Sequence, residues 1–87
     1  MKKIIKFEAS WCQPCKAYAP LFDQVTAQYK DIFEILKSDI DEEDLYKKYE
    51  VRSVPTTIIV DDEKVVGLKR GVPTRAELTK LIESNIV

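Results

Sequence analysis

Ser10-Trp11-Cys12-Gln13-Pro14-Cys15-Lys16 is the stretch on which the fold turns, because it joins two segments of unlike periodicity. Before it, Lys3 to Phe7 is apolar and rich in Ile and stops at the small residues Ala9 and Ser10, which predicts a short buried strand entering a loop. After it, Tyr18, Leu21, Phe22, Val25 and Tyr29 recur at helical spacing from Lys16 to about Lys30, with Lys16, Asp23, Gln24 and Gln28 on the other faces. Both cysteines therefore sit where a strand gives way to a helix. Pro20 inside the helical pattern predicts a kink.

That position has chemical meaning. Disulfide exchange needs a thiolate to attack and a second thiol to release the mixed disulfide. Cys12, at or just before the first helical turn, meets unpaired backbone amides and the positive end of the helix dipole, which stabilise negative sulfur. Cys12 is expected as the nucleophile, and Cys15, one turn in and more buried, as the resolving thiol. Pro14 suits an early helical position, where its missing amide hydrogen costs nothing. Two bland readings are set against this one. A Cys-x-x-Cys is also half of a zinc site, but the chain has no histidine and no third cysteine, so no metal is expected. A structural bridge across so short a loop does little to constrain the unfolded chain.

Working outward, Ile32 to Lys37 reads as a second strand, and the acids Asp39 and Asp41 to Asp44 suit the start of a short helix through Leu45 and Tyr49. The acidic run lacks the glycine and distal glutamate of a calcium loop. Ser53-Val54-Pro55 breaks the chain. Thr56 to Val60 is β-branched, and Lys64 to Leu68 follows across the acidic turn Asp61-Asp62-Glu63, which predicts a hairpin. Gly71 and Pro73 interrupt it, and Thr74 to Glu77 forms a capping box ahead of a helix carrying Leu78, Leu81 and Ile82 on one side. The expected order is strand, helix, strand, helix, strand, strand, helix, in one domain spanning 1–87.

With 14 basic against 15 acidic residues the net charge is -1, and the cations are interspersed with acids, so no nucleic-acid stripe is expected. No apolar run approaches the roughly 20 residues needed to span a bilayer, and the basic start Met1-Lys2-Lys3 has no signal-like apolar core behind it. The expectation is a cytoplasmic monomer with neither nucleic-acid nor membrane partners.

The residues resemble the thioredoxin family over nearly the whole chain. Trp11-Cys12-x-Pro14-Cys15-Lys16 is similar to that family's active site. Ala19-Pro20, Lys37, Ile40-Asp41, Tyr49, Val51-Arg52, Val54-Pro55-Thr56 and Gly71 resemble its later landmarks in the same order. The resemblance implies an α/β fold: a minimal thioredoxin fold, its four-stranded mixed sheet ordered 2-1-3-4, with strands 1 and 2 parallel and a final antiparallel hairpin, flanked by three helices. It implies a cis Val54-Pro55 peptide against the cysteines, and a groove in which the Val54 backbone pairs with a substrate strand while Trp11, Gln13, Pro55, Gly71 and Val72 line it. It implies a protein-disulfide reductase with a redox-active Cys12–Cys15 disulfide, no bound cofactor, disulfide-containing proteins as substrates, and thioredoxin reductase or glutathione as electron donor.

Three departures from the family pattern matter. The chain opens at what would be the central strand, which leaves strand 2, carrying Glu34 and Lys37, as an expected open edge. Six residues before Cys12, where a buried aspartate is common, stands Lys6, and two residues on, where an aromatic is common, stands Glu8. Strand alternation puts Lys6 and Glu8 on one face. Either Glu8, with Lys6 and Lys37 as ionic partners, replaces the missing acid, or the two are solvated charges at a strand end. Gln13 replaces the more familiar glycine between the cysteines, where side chains tune the reduction potential. Two other classes stay open: a glutaredoxin-like reductase recharged by glutathione, and a redox-independent binding subunit that holds a partner around Trp11 and Pro55.

Overall fold

A computed structural model describes residues 1–86 of the chain. Its strands are β1 (Lys2–Glu8), β2 (Glu34–Asp39), β3 (Thr56–Asp61) and β4 (Lys64–Arg70), and its helices α1 (Gln13–Thr26), α2 (Leu45–Lys48) and α3 (Arg75–Glu83). The sheet order is β2-β1-β3-β4, with β1 parallel to β2 and antiparallel to β3, and β3 antiparallel to β4. This is the order and strand sense expected above.

Alternation along the two central strands divides the core. Ile4 on β1 and Ile59 on β3 pack under Tyr18, Phe22 and Val25 of α1 and Leu78 and Ile82 of α3. Ile5, Phe7, Ile58 and Val60 point the other way, toward Val51, Leu45, Tyr46 and Tyr49 around α2. A strand with a helix on each face must be apolar on both, which is why β1 and β3 read as near-continuous hydrophobic runs. Gly67 of β4 sits where an added Cβ would come within 3.1 Å of Leu81 and Asn85, so its lack of a side chain lets the end of α3 lie close on the sheet.

Several boundaries differ from the sequence expectation, each for a local reason. β2 starts two residues later than Ile32, because the amides of Ile32 and Phe33 both bond to the Tyr29 carbonyl, at 3.0 and 2.9 Å, and close a turn. Ile32 is left exposed while Phe33 enters the core. α1 runs through Pro20 to Thr26 and tightens into a 3-10 turn over Ala27–Tyr29. α2 is a single turn, ended by Glu50 in the left-handed region at φ 56° while the Val51 amide returns to the Tyr46 carbonyl at 2.9 Å. The hairpin turn is Asp62-Glu63, both at positive φ, with Asp61 still in β3. β2 and β4 are the two opposite sheet edges, and Val65, Val66 and Leu68 of β4 are exposed. No described helix is long and apolar enough to cross a membrane.

Candidate active site

β1 delivers the chain to the site. After Glu8 the Ala9 carbonyl accepts the Cys12 amide at 3.1 Å, and the resulting turn leaves Cys12 as the N-cap of α1 with extended backbone, φ -92° and ψ 106°. Pro14 falls in the first turn, where no helical donor is lost. Its exposed ring and the exposed Gln13 flank the cysteines on the solvent side.

Cys12 and Cys15 are joined as a disulfide with their Cα atoms 5.3 Å apart. The two are equally buried, each 4% exposed, so the greater burial expected for Cys15 is not found. In this oxidised state the Cys12 sulfur is turned inward onto its partner, under Ala9, Ile40 and Val54. The asymmetry lies in hydrogen bonding instead: the Cys15 amide donates to Cys12 Sγ at 3.2 Å.

The Val54-Pro55 peptide is cis. Val54 packs on the cysteine cluster, and Pro55 is buried behind it. The Gly71 amide donates to the Pro55 carbonyl at 2.8 Å, and Gly71 itself sits at φ 80°, where an L side chain is strained. The exposed Val72 follows it. Trp11, 64% exposed, is held from the opposite side by its indole N–H, which donates to Asp41 Oδ2 at 2.8 Å. Sequence reasoning named Asp41 as part of the acidic run and, with Ile40, as a family landmark, but gave it no contact with Trp11. Only its tertiary position, 30 residues away along the chain, reveals it as the anchor of Trp11.

Behind Cys15 lies a pocket of about 270 Å³ whose walls include Glu8, Lys16, Ala19 and Asp39. Lys6, Glu8's neighbour on the same face of β1, is fully buried, and its ammonium lies 3.0 Å from Glu8 Oε1. It also sits 5.5 Å from the Tyr18 ring centre and 5.0 Å from that of Phe22. The reading of Lys6 and Glu8 as two solvated charges is thus overturned: the strand pattern carries Lys6 under α1, and only Glu8 reaches solvent. Lys37 is corrected too. It stands beside Lys6 across the β1–β2 ladder, but its ammonium bonds to Asp23 of α1 at 2.7 Å, and no ion pair joins it to Glu8. Tyr18 completes this buried polar layer, its hydroxyl 2.8 Å from Thr57 Oγ1. Burial pushes the Tyr18 phenol up to about 12, with the Thr57 contact pulling the other way.

A Cys-x-x-Cys disulfide at the N-terminus of α1, with Val54 packed on it, is an arrangement suited to thiol–disulfide exchange. The thioredoxin family model matches residues 1–84. Over 84 residues the chain is 34% identical to thioredoxin C-2 of Corynebacterium nephridii, covering 95% of this chain and 78% of that protein. A thioredoxin of Pseudomonas aeruginosa matches at the same 34% with the same coverage of each chain, 95% and 78%. Among solved structures, the germline-specific thioredoxin Deadhead of Drosophila melanogaster superposes with a TM-score of 0.87 at 26% identity, covering 98% of this chain and 81% of that one. A mutant thioredoxin of Halobacterium salinarum gives 0.87 at 31% identity, with coverages of 99% and 75%. This chain belongs to the thioredoxin family.

Proposed function

We propose that the chain reduces protein disulfides by dithiol exchange. The observation that carries this reading is the Cys15 amide directed at Cys12 Sγ at the start of α1. A hydrogen bond to a charged acceptor contributes about 1.5–3 kcal/mol, and a helix N-terminus about 0.3–1 kcal/mol. Together they favour negative sulfur on Cys12 over Cys15 by roughly ten- to a thousandfold. Cys12 attacks the substrate disulfide and forms a mixed disulfide, and the first substrate thiol leaves. Cys15 then attacks Cys12 Sγ, the intramolecular disulfide forms, and the second substrate thiol is released.

The backbone of Val54, beside the cis Pro55, pairs with an extended substrate segment, while Trp11, Gln13 and Val72 form the rim around it. The Gly71–Pro55 bond supports this reading by fixing the loop opposite the cysteines. Such recognition is mostly main-chain and therefore broad. The working protein is a cytoplasmic monomer without a bound cofactor, returned to the dithiol by a thioredoxin reductase or by glutathione.

The test is reduction of a protein disulfide by the purified chain, supplied either with NADPH and a thioredoxin reductase or with glutathione. Turnover with the reductase and little with glutathione is expected. The reverse preference identifies a glutaredoxin-like protein, and no turnover with either donor rules out a general reductase.

A further inference from the structure

Charge at the cysteine end of the sheet follows the order of the strands. β1, β2 and β4 run one way and β3 the other, so the ends of β2, β1 and β4 and the start of β3 lie together. There Ser38, Phe7, Thr56 and Arg70 form one cross-strand row. At roughly 4.8 Å per strand the row is about 14 Å wide. Cys12 and Cys15 follow β1, inside the row rather than at either end of it.

At the β2 end the chain continues as Asp39, Asp41, Glu42, Glu43 and Asp44, with only Ile40 between them. Among the described residues the one ion pair in that run is Lys47 with Asp44, at 3.7 Å. Asp41 is fixed there by the Trp11 indole, and Glu42 is exposed. At the β4 end Arg70 is exposed and has no ion pair among the described residues, while its neighbour Lys69 lies 3.4 Å from Glu77. Arg52, likewise exposed and unpaired among the described residues, stands two residues before Val54 at the entry to β3. Single unpaired cations are ordinary on a surface. Their segregation is the informative part, because the chain as a whole is close to neutral, at -1. Both walls lie roughly 7 Å from the middle of the row, inside the screening length of about 8–10 Å in physiological salt.

We propose that the groove selects disulfides carried in segments of opposed charge: acidic residues on the side of the target cysteine that reaches Arg52 and Arg70, basic residues on the side that reaches Asp41 and Glu42. The preference rests on the dithiol-exchange reading above and adds a substrate class to it. Main-chain pairing at Val54 holds an extended segment whatever its side chains. The two walls then favour one chain direction over the other. Guanidinium forks suit carboxylates, which accept two parallel N–H···O bonds from them. The acidic loop suits lysine or arginine on the opposite flank. A uniformly acidic or uniformly basic segment gains at one wall and loses at the other.

The test uses peptides of one composition and zero net charge, so that bulk attraction is the same for all. One has aspartates before its single cysteine and lysines after it, the second has the reverse order, and a third interleaves them. Each cysteine is supplied as a mixed disulfide with thionitrobenzoate. Attack by Cys12 forms the Cys12–peptide disulfide and releases the coloured thiolate, whose rate is followed. In the reduced parent one ordered peptide is expected to react at least about fivefold faster than the other, with the interleaved peptide between them. The ratio should fall toward one in about 1 M salt. Arg52→Gln/Arg70→Gln should bring it within about twofold, and Arg52→Lys/Arg70→Lys should restore part of it. Because the ratio is taken within one protein, any loss of folded or active chain in a variant cancels. Equal rates for the two ordered peptides in the parent overturn the proposal, as does a ratio that survives removal of both arginines or high salt. A reduced parent that releases no thiolate from the uncharged probe dithiodipyridine overturns the exchange reading instead.

Discussion

Tyr18 shows what one side chain contributes at this site. Its ring caps the Lys6 ammonium and its hydroxyl pairs with Thr57 inside the sheet–helix layer. Tyr18→Phe leaves Thr57 Oγ1 buried without that partner, so a loss of about 1–3 kcal/mol is expected in chemical denaturation. The pH dependence has a definite sign. Above pH 10 the unfolded chain ionises this tyrosine while the native state holds the proton up to about 12. The native state then binds more protons, and stability falls as pH rises across that window. Tyr18→Phe should flatten this alkaline slope, and equal slopes in the two proteins would show that Tyr18 does not cause it. The cysteines were legible in the sequence because spacing alone places them at a helix start. Lys6 was not. Alternation assigned it correctly to the face of Glu8, but no local pattern states that α1 closes over that face and takes the ammonium out of water.

At the scale of elements, the helix with the clearest sequence signal is also the best capped. In α3 the Glu77 amide donates to Thr74 Oγ1 at 3.1 Å and the Thr74 amide donates to Glu77 Oε1 at 2.8 Å. Thr74→Ala is expected to cost about 1 kcal/mol, read as a lowered denaturation midpoint with unchanged slope. The Thr74 backbone amide, with Lys69 adding to it, holds the Glu77 carboxyl below its ordinary 4.5. That stabilisation is fully present above pH 4.5 and fades as pH falls through the lower native value, so Glu77→Gln should shrink the acid-side loss of stability. An acid limb identical to the parent's would contradict this. Elements with strong periodicity or a capping box appeared where expected. α2 shrank to one turn because Glu50 adopts a left-handed backbone that propensity does not announce. β2 slipped by two residues because Tyr29's carbonyl takes the amides of Ile32 and Phe33, a pairing set by where the 3-10 turn ends.

At the scale of the whole molecule, two helices on one face and a single turn on the other enclose a two-sided sheet with little redundancy. Leu78 is fully buried in the cluster where α3 meets α1 and β3. Leu78→Ala should cost about 2–5 kcal/mol, a large share of the roughly 5–15 kcal/mol that holds a small domain. A loss under about 1 kcal/mol would mean that this joint collapses around the gap. The strand order followed from family landmarks in register, whereas the loops that complete the site are tertiary: Asp41 reaches Trp11 and Gly71 reaches Pro55 only after the sheet forms. The central claim is that these parts serve an attack by Cys12 resolved by Cys15. It is tested most directly by challenging Cys12→Ser and Cys15→Ser variants with a disulfide-containing protein and weighing the products by mass spectrometry. Cys15→Ser should accumulate a one-to-one adduct on Cys12, and Cys12→Ser should form almost none. Adducts on Cys15 of the Cys12→Ser variant at a rate comparable to those on Cys12 would contradict the account.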